Sequence, residues 1–322
     1  EFGGAGLDHV TLAAAVEEIA SADGAISTIM AVQSLVCSTL VHFGSDALKT
    51  TYLPKLANGD YVGAFALSEP QAGSDAAALK TTARKDGDHY ILNGTKQFIT
   101  SGKNGQIAVV FAVTDAAEGK NGISAFLVPT DVEGYDASHT EDKMGQKCSD
   151  TAQVVLSDVK IPADHLIGTE SEGYKIALAN LEGGRISIAA QSVGMARAAV
   201  NEAVNYARER TTFGQPLAKH QALRFRLADM ATQVDIARQS VLHAAALRDA
   251  GKPCVKEACQ AKLFASEMAE KAASDALQIF GGYGYLKDFP IERIYRDARV
   301  CTIYEGTSDI QRMVIANEVI GQ

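Results

Sequence analysis

Through the first 58 positions apolar residues recur at helical spacing, with Leu12, Val16 and Ile19 set three and four apart in an Ala-rich stretch. Between about 61 and 160 the pattern changes. Ile107, Val109, Phe111 and Val113 alternate with their neighbours, and Asp86-Gly87 and Asn93-Gly94 place turn signals between short apolar runs. That alternation predicts antiparallel strands. From about Gly173 the helical period returns, and Ile186, Ala189, Val193, Val200 and Val204 mark one stripe of a long helix running to Arg208-Glu209-Arg210. Three more helical stretches are expected over about 217–250, 255–280 and 307–320, broken by Gly251-Lys252-Pro253 and Gly281-Gly282-Tyr283-Gly284. The expected fold class is α+β: a helical domain over 1–60, a central antiparallel β domain over 61–165 and a C-terminal four-helix bundle over 166–322.

At 322 residues and 47% hydrophobic content, the chain can bury one large core or two to three smaller ones. A net charge of -9 argues against a reader of nucleic-acid phosphates. Arg208, Arg210, Lys219, Arg224 and Arg226 still cluster, and their spacing fits a phosphate-binding patch or a solvated helix face equally well. Five cysteines, Cys37, Cys148, Cys254, Cys259 and Cys301, form no Cys-x-x-Cys pair, which argues against a zinc site and a disulfide framework and fits a reducing compartment. No metal site is expected. No run approaches the roughly 20 apolar residues of a membrane span, and nothing resembles a cleavable signal, although the first residue is Glu1 rather than Met.

Several routes to chemistry are set aside. No Gly-x-Gly-x-x-Gly follows a strand, no Walker loop is present, and the seven histidines include no His-x-x-x-His pair. What stands out is locally uneconomical. Gly183-Gly184 lies inside the long helix, where each Gly costs about 1 kcal/mol relative to Ala, so either a ligand passes close to the backbone or the helix kinks there. Arg185 follows, placed to hold a carboxylate or to snorkel to solvent. In Ile303-Tyr304-Glu305-Gly306-Thr307-Ser308-Asp309-Ile310 a lone carboxylate precedes a helix start capped by Thr307 or Ser308. Glu305 either complements the helix dipole or, in the apolar setting that Ile303 and Tyr304 suggest, acts as a base of raised pKa.

Five segments together carry a resemblance: Leu67-Ser68-Glu69-Pro70-Gln71-Ala72-Gly73-Ser74-Asp75, Phe98-Ile99-Thr100-Ser101-Gly102, Arg210-Thr211-Thr212-Phe213-Gly214, Gln278-Ile279-Phe280-Gly281-Gly282, and Ile303 to Ser308. In order and spacing they resemble the acyl-CoA dehydrogenase family, of the short-chain or short branched-chain type, over essentially the whole chain. The resemblance implies the same three-block fold, with the first helical domain truncated at its start and part of the acyl pocket lying in helices before Glu1.

It also implies FAD as cofactor. Phe65, Leu67, Ser68, Ser74, Phe98 and Thr100 match the strands that hold the flavin ring. Arg210, Thr212, Phe213, Gln221, Gln278, Gly281 and Gly282 match the part that binds the diphosphate and adenosine of FAD from a neighbouring subunit, which implies a homo-oligomer, a dimer or dimer of dimers. Thr307 and Asp309 match flavin contacts beside the base. Ser74, Glu182, Gly184, Arg185 and Gly306 match positions at the acyl-CoA substrate. Some members place the catalytic carboxylate at the position of Gly184; here it falls to Glu305, which takes the α-proton while hydride leaves the β-carbon, giving a trans-2-enoyl-CoA. The implied site polarises the thioester carbonyl through the flavin ribityl hydroxyl and the Glu305 N–H.

Three other readings stay open: an acyl-CoA oxidase with the same base and cofactor, a non-catalytic flavoprotein or binding module, and a purely structural helical protein. The resemblance implies short to medium acyl chains, an electron-transfer flavoprotein as acceptor, and a cytoplasmic (bacterial) or mitochondrial-matrix location.

Overall fold

The structure, a computed structural model, describes residues 1–321. Three helices come first: α1 (His9–Ala22), α2 (Gly24–Phe43) and α3 (Asp46–Asn58). Asp8 caps α1 by accepting from Thr11 N, Ser45 caps α3 by accepting from Leu48 N, and α3 ends on Gly59 at φ 80°, a left-handed stop that glycine adopts without strain. Strands follow: β1 (Gly63–Ala66), β2 (Thr82–Asp86), β3 (His89–Thr100), β4 (Ile107–Val113), β5 (Ile123–Pro129), β6 (Tyr135–Asp136), β7 (Thr151–Pro162) and β8 (Leu166–Ile167). The chain then runs through α4 (Gly173–Glu209), the short strands β9 (Thr211–Thr212) and β10 (Gln215–Pro216), α5 (Gln221–Asp249), α6 (Val255–Phe280), α7 (Ile291–Ala298) and α8 (Ser308–Ile320). The fold is α+β, with a helical start, a central sheet and a C-terminal helical region.

The sheet has the order β6-β7-β3-β2-β4-β5-β8, with β1 also on β4. Most ladders are antiparallel, as the alternation predicts, but β1 and β2 each run parallel to β4. The difference has a simple origin. Side-chain alternation sets which face a residue takes and carries no information on strand direction, and the stretches joining β1 and β2 to β4 are long enough to return the chain the same way round.

Contacts divide the chain into two compact units: residues 1–6, 29–142 and 148–181, and residues 7–28, 143–147 and from Glu182 onward. In the first unit both sheet faces are buried. Ile107, Val109 and Phe111 of β4 join Val36, Leu40, Leu53 and Leu56 of the helices, while Ala108, Val110 and Ala112 join Phe126, Leu92, Val154 and Leu156 on the other face. Helix α2 departs from the sequence reading. Its 20 residues, with a mean hydropathy of 1.6, are long and apolar enough for a membrane span by length and composition alone. Half of that stretch is buried in the protein, with Val36 and Leu40 in the core, so burial accounts for the composition.

In the second unit α5 packs on α6, α6 on α7 and α8, and α1 on α5. Gly194 lets α4 approach α1: a Cβ there would stand 2.2 Å from Glu17 O. Helix α4 continues unbroken through Gly183-Gly184. The bundle expected to hold four helices carries a further short one, α7, eight residues started at Pro290 and braced by the Arg296–Glu292 pair, too short to show a period.

Candidate active site

The loop carrying Glu305 is fixed from several sides within the second unit. Glu305 lies at φ 52° and Gly306 at φ 83°, so a non-glycine residue is held in the left-handed region at a cost of about 1–3 kcal/mol, a conformation that persists only where its surroundings impose it. Gln311 on α8, fully buried, donates through Nε2 to the carbonyls of Glu305 (3.0 Å) and Gly306 (2.9 Å). Lys262 on α6, also fully buried, donates to Gly306 O at 2.7 Å. Tyr304 donates its hydroxyl to Gln191 Oε1 and accepts from Gln146 Nε2 at 3.3 Å, while Thr28 Oγ1 lies 3.4 Å away. A Cβ at 306 would meet Gln311 Nε2 at 2.7 Å, which leaves glycine as the residue that fits. Thr307 caps α8, accepting from Ile310 N at 3.3 Å.

Glu305 is half-buried as a residue, yet its Oε2 is sealed from solvent and has no hydrogen-bond partner. Burial raises its pKa above the ordinary carboxylate value, against the opposing charges of Arg185 and Lys262. Arg185 is 8% exposed, and its Nε is buried without a partner. A buried carboxylate oxygen and a buried guanidinium N–H, both unsatisfied, are what a site looks like when a ligand supplies the missing partners. Ser308 Oγ is buried and unpartnered as well. Gly184 is buried beside Arg185, while Glu182 accepts from Arg248 Nη1 at 2.8 Å and from Cys254 Sγ at 3.1 Å. Asp309 is exposed and pairs with Arg312 at 3.3 Å.

A second group of predicted residues meets in a cleft of about 400 Å³ lined by Arg210, Thr212, Phe280, Gly281, Gly282 and Tyr283, among others. Tyr206 stacks on Phe280 at 4.1 Å, and the Arg210 guanidinium lies 5.4 Å from the Tyr283 ring centroid. A Cβ at Gly281 or Gly282 would face open space. Arg210 forms no ion pair among the described residues, which leaves its charge for an anion. Beside the cleft, β9 and β10 form a hairpin whose two-residue turn is Phe213 (φ 51°) and Gly214 (φ 77°), the positive pair of a type I′ turn. Phe213 is 96% exposed, an aromatic ring held in a strained turn that meets the His220 ring edge-on at 6.3 Å and otherwise faces solvent. Gln221, at the start of α5, and Gln278 are exposed and do not line the cleft.

The remaining predicted residues lie in the first unit. Phe65 packs against Phe111 at 5.0 Å, Leu67 and Ser68 are half-buried, and Ser74 is exposed. β3 slips register between Lys96 and Ile99, and within that bulge Phe98 takes φ 60° and stands 66% exposed, while Thr100 is half-buried at the strand's end. Two buried charges tie these segments together. Lys96 Nζ donates to Glu69 Oε1 (2.7 Å) and to Leu67 O (3.2 Å), and Gln97 N donates to Ser68 O (2.9 Å). Glu69 also accepts from Lys80 N, Thr81 N and Gln71 Nε2.

Sequence reasoning missed Lys96, Lys262 and Gln311. A signal existed for the lysines. Lys262 sits on the apolar stripe formed by Ala258, Ala265, Ala269, Ala272 and Ala276, and Lys96 falls on the period-two row of Tyr90 and Leu92. A charge at a core position has to have a partner.

Comparison with known proteins places this arrangement. Three family models of acyl-CoA dehydrogenase match: the N-terminal domain over residues 1–60, the middle domain over 64–159 and the C-terminal domain over 171–320. The mitochondrial short-chain specific acyl-CoA dehydrogenase of Homo sapiens is 48% identical over 321 residues, covering 99% of this chain and 78% of that protein. The butyryl-CoA dehydrogenase structure from Megasphaera elsdenii is 42% identical with a TM-score of 0.97, covering 99% of this chain and 85% of that one. A chain in a structure described as the electron transferring flavoprotein of Acidaminococcus fermentans is 45% identical with a TM-score of 0.98, covering 100% and 85%. The chain belongs to the acyl-CoA dehydrogenase family. It is an enzyme of the FAD-dependent oxidoreductase class that this family defines.

Proposed function

We propose that the chain converts a short saturated acyl-CoA to the trans-2-enoyl-CoA, with Glu305 as the base that removes the α-proton. The observation that carries this reading is the Glu305 carboxylate: one oxygen buried without a partner, on backbone held in a left-handed conformation by Gln311 and Lys262. A carboxylate whose pKa burial has raised is a stronger base than one in water. The positive charges of Arg185 and Lys262 work against that rise and favour the ionised form. The backbone N–H of Glu305 polarises the thioester carbonyl, which makes the α-proton acidic enough to leave. Gly306, without a side chain, lets the thioester lie against the loop, and Gly184 and Arg185 line the substrate on the α4 side.

The residues present fit FAD. The free Arg210 guanidinium, the aromatic cleft walls and the open faces of Gly281 and Gly282 suit a diphosphate and adenine, with Thr212, Phe213, Gln221 and Gln278 as outer contacts. In the first unit Phe65, Leu67, Ser68, Ser74, Phe98 and Thr100 would hold the flavin ring, and in the second unit Thr307 and Asp309 would serve as flavin contacts beside the base. FAD, when bound, supplies the acceptor for the hydride leaving the β-carbon. Exposure of Phe213 and Tyr285, 96% and 86%, supports a homo-oligomer in which another subunit covers them. An electron-transfer flavoprotein as acceptor is supported by the likeness to the Acidaminococcus fermentans structure; relatives from Bacillus subtilis and a mitochondrial one from Homo sapiens are in keeping with a bacterial or mitochondrial location, for which the finer reading is cytoplasm or matrix.

The short-chain assignment rests on the relatives named for short-chain and butyryl substrates. Steady-state kinetics with a panel of straight and branched saturated acyl-CoAs tests it. The four-carbon thioester is expected to give the highest kcat/KM, and a maximum among long or branched chains would overturn the assignment.

A further inference from the structure

Lys262 is fully buried on α6, and no carboxylate lies within ion-pair distance of it among the described residues. Its Nζ has a single hydrogen bond, 2.7 Å to Gly306 O. That carbonyl also accepts from Gln311 Nε2 at 2.9 Å, so hydrogen-bond satisfaction alone does not account for a buried ammonium there. An unpaired buried ammonium is costly, and nothing in the bundle's packing calls for it: the stripe on which it sits is otherwise alanine. The titratable and charged groups facing it are Glu305 and Cys301 from the loop side, Arg185 from α4 and Cys259 on its own helix, and burial pushes both thiols up so that they stay neutral. Of these, Glu305 is the acid that the proposed reaction uses.

We propose that Lys262 is a positioning residue for the base: its ammonium pins the Gly306 carbonyl and, together with Arg185, supplies the positive charge that keeps buried Glu305 ionised. The inference deepens the assignment of Glu305 as base and rests on it. Burial holds the Lys262 ammonium down to about 8, with Cys301 and Glu305 opposing that shift and Arg185 adding to it. Removing its charge leaves Arg185 alone against the desolvation of Glu305. The carboxyl then titrates higher, and a larger fraction of the enzyme holds its base protonated and idle.

The test uses three variants of the flavin-loaded full chain. Lys262→Met removes charge and hydrogen bond, Lys262→Gln keeps a donor without charge, and Lys262→Arg keeps the charge. In the Met and Gln variants the acid limb of the kcat/KM–pH profile is expected to move up by about one pH unit, about tenfold in rate on the acid side, and to return toward the wild-type position in Lys262→Arg. The carbonyl stretch of protonated Glu305, identified in the infrared by its loss in Glu305→Gln, moves to higher pH in parallel. Lys262→Met is expected to melt no lower than wild type, since it replaces an unpaired buried charge with an apolar chain and Gln311 still satisfies the carbonyl; if it fails to fold, Lys262→Gln carries the test. An acid limb that stays in place in the Gln variant, or that moves as far in Lys262→Arg, overturns the role of Lys262. Full activity in Glu305→Gln instead overturns the base assignment.

Discussion

Glu305→Gln abolishes turnover and leaves the protein folded. General-base catalysis contributes roughly a hundred- to ten-thousand-fold in rate, and an amide of the same shape retains none of it. The substitution should not cost stability. Glu305 Oε2 has no hydrogen-bond partner to lose, and the amide is neutral where the carboxylate was a desolvated charge. The sign of the pH dependence follows. The folded-state pKa of Glu305 lies above its unfolded value of about 4.5, so its contribution to stability is full below that value and is lost as pH rises through the folded pKa. Above the folded pKa the ionised carboxylate opposes folding, and below it the neutral acid is matched by the neutral amide, so Glu305→Gln is expected to melt at the same temperature or higher. Enoyl-CoA formation in single turnover and a thermal melt at pH 7 together check this. Undiminished turnover would remove Glu305 from the chemistry, and a large fall in melting temperature would make it a structural residue.

Lys96→Met is expected to destabilise the first unit by about 3–5 kcal/mol, the usual consequence of stripping one partner from a buried ion pair. The side chains of Lys96 and Glu69 are 0% and 2% exposed. Burial alone would raise the Glu69 pKa, but Lys96 and the Thr81 and Lys80 N–H groups hold it down to about 2. The stability it contributes is present above its unfolded value of 4.5 and is lost as pH falls from there to about 2, so wild type should show an acid transition in that window. Without Lys96 the carboxylate is buried uncompensated and Leu67 O loses a donor. Glu69→Gln/Lys96→Met should recover part of the loss, because the two changes share one interaction. Urea unfolding of the single and double variants measures it; a single variant within 1 kcal/mol of wild type would be far outside this expectation. Since Lys96 ties Leu67 to the β3 bulge, weaker FAD retention should accompany the loss of stability.

Much of the fold was legible because its signals are local. The stripe Ile186, Ala189, Val193 and Val200 names the face that α4 buries, and Gly251-Lys252-Pro253 marks the stop between α5 and α6. Strand direction was not legible, since nothing in a local pattern says that β1 returns parallel to β4. Of the site, Glu305 stood out as a lone carboxylate before a helix, but the left-handed backbone beneath it did not. That conformation is imposed by Lys262 and Gln311, a helix away in one direction and six residues on in the other. The cleft around Arg210 likewise joins residues 77 positions apart, from Tyr206 to Tyr283. A motif match named several of these residues without saying which of them meet.

Anaerobic titration of the flavin-loaded enzyme with butyryl-CoA tests the central claim most directly. The account predicts that the oxidised flavin band bleaches and that crotonyl-type trans-2-enoyl-CoA appears in step with it. A flavin spectrum that no saturated acyl-CoA moves would contradict it.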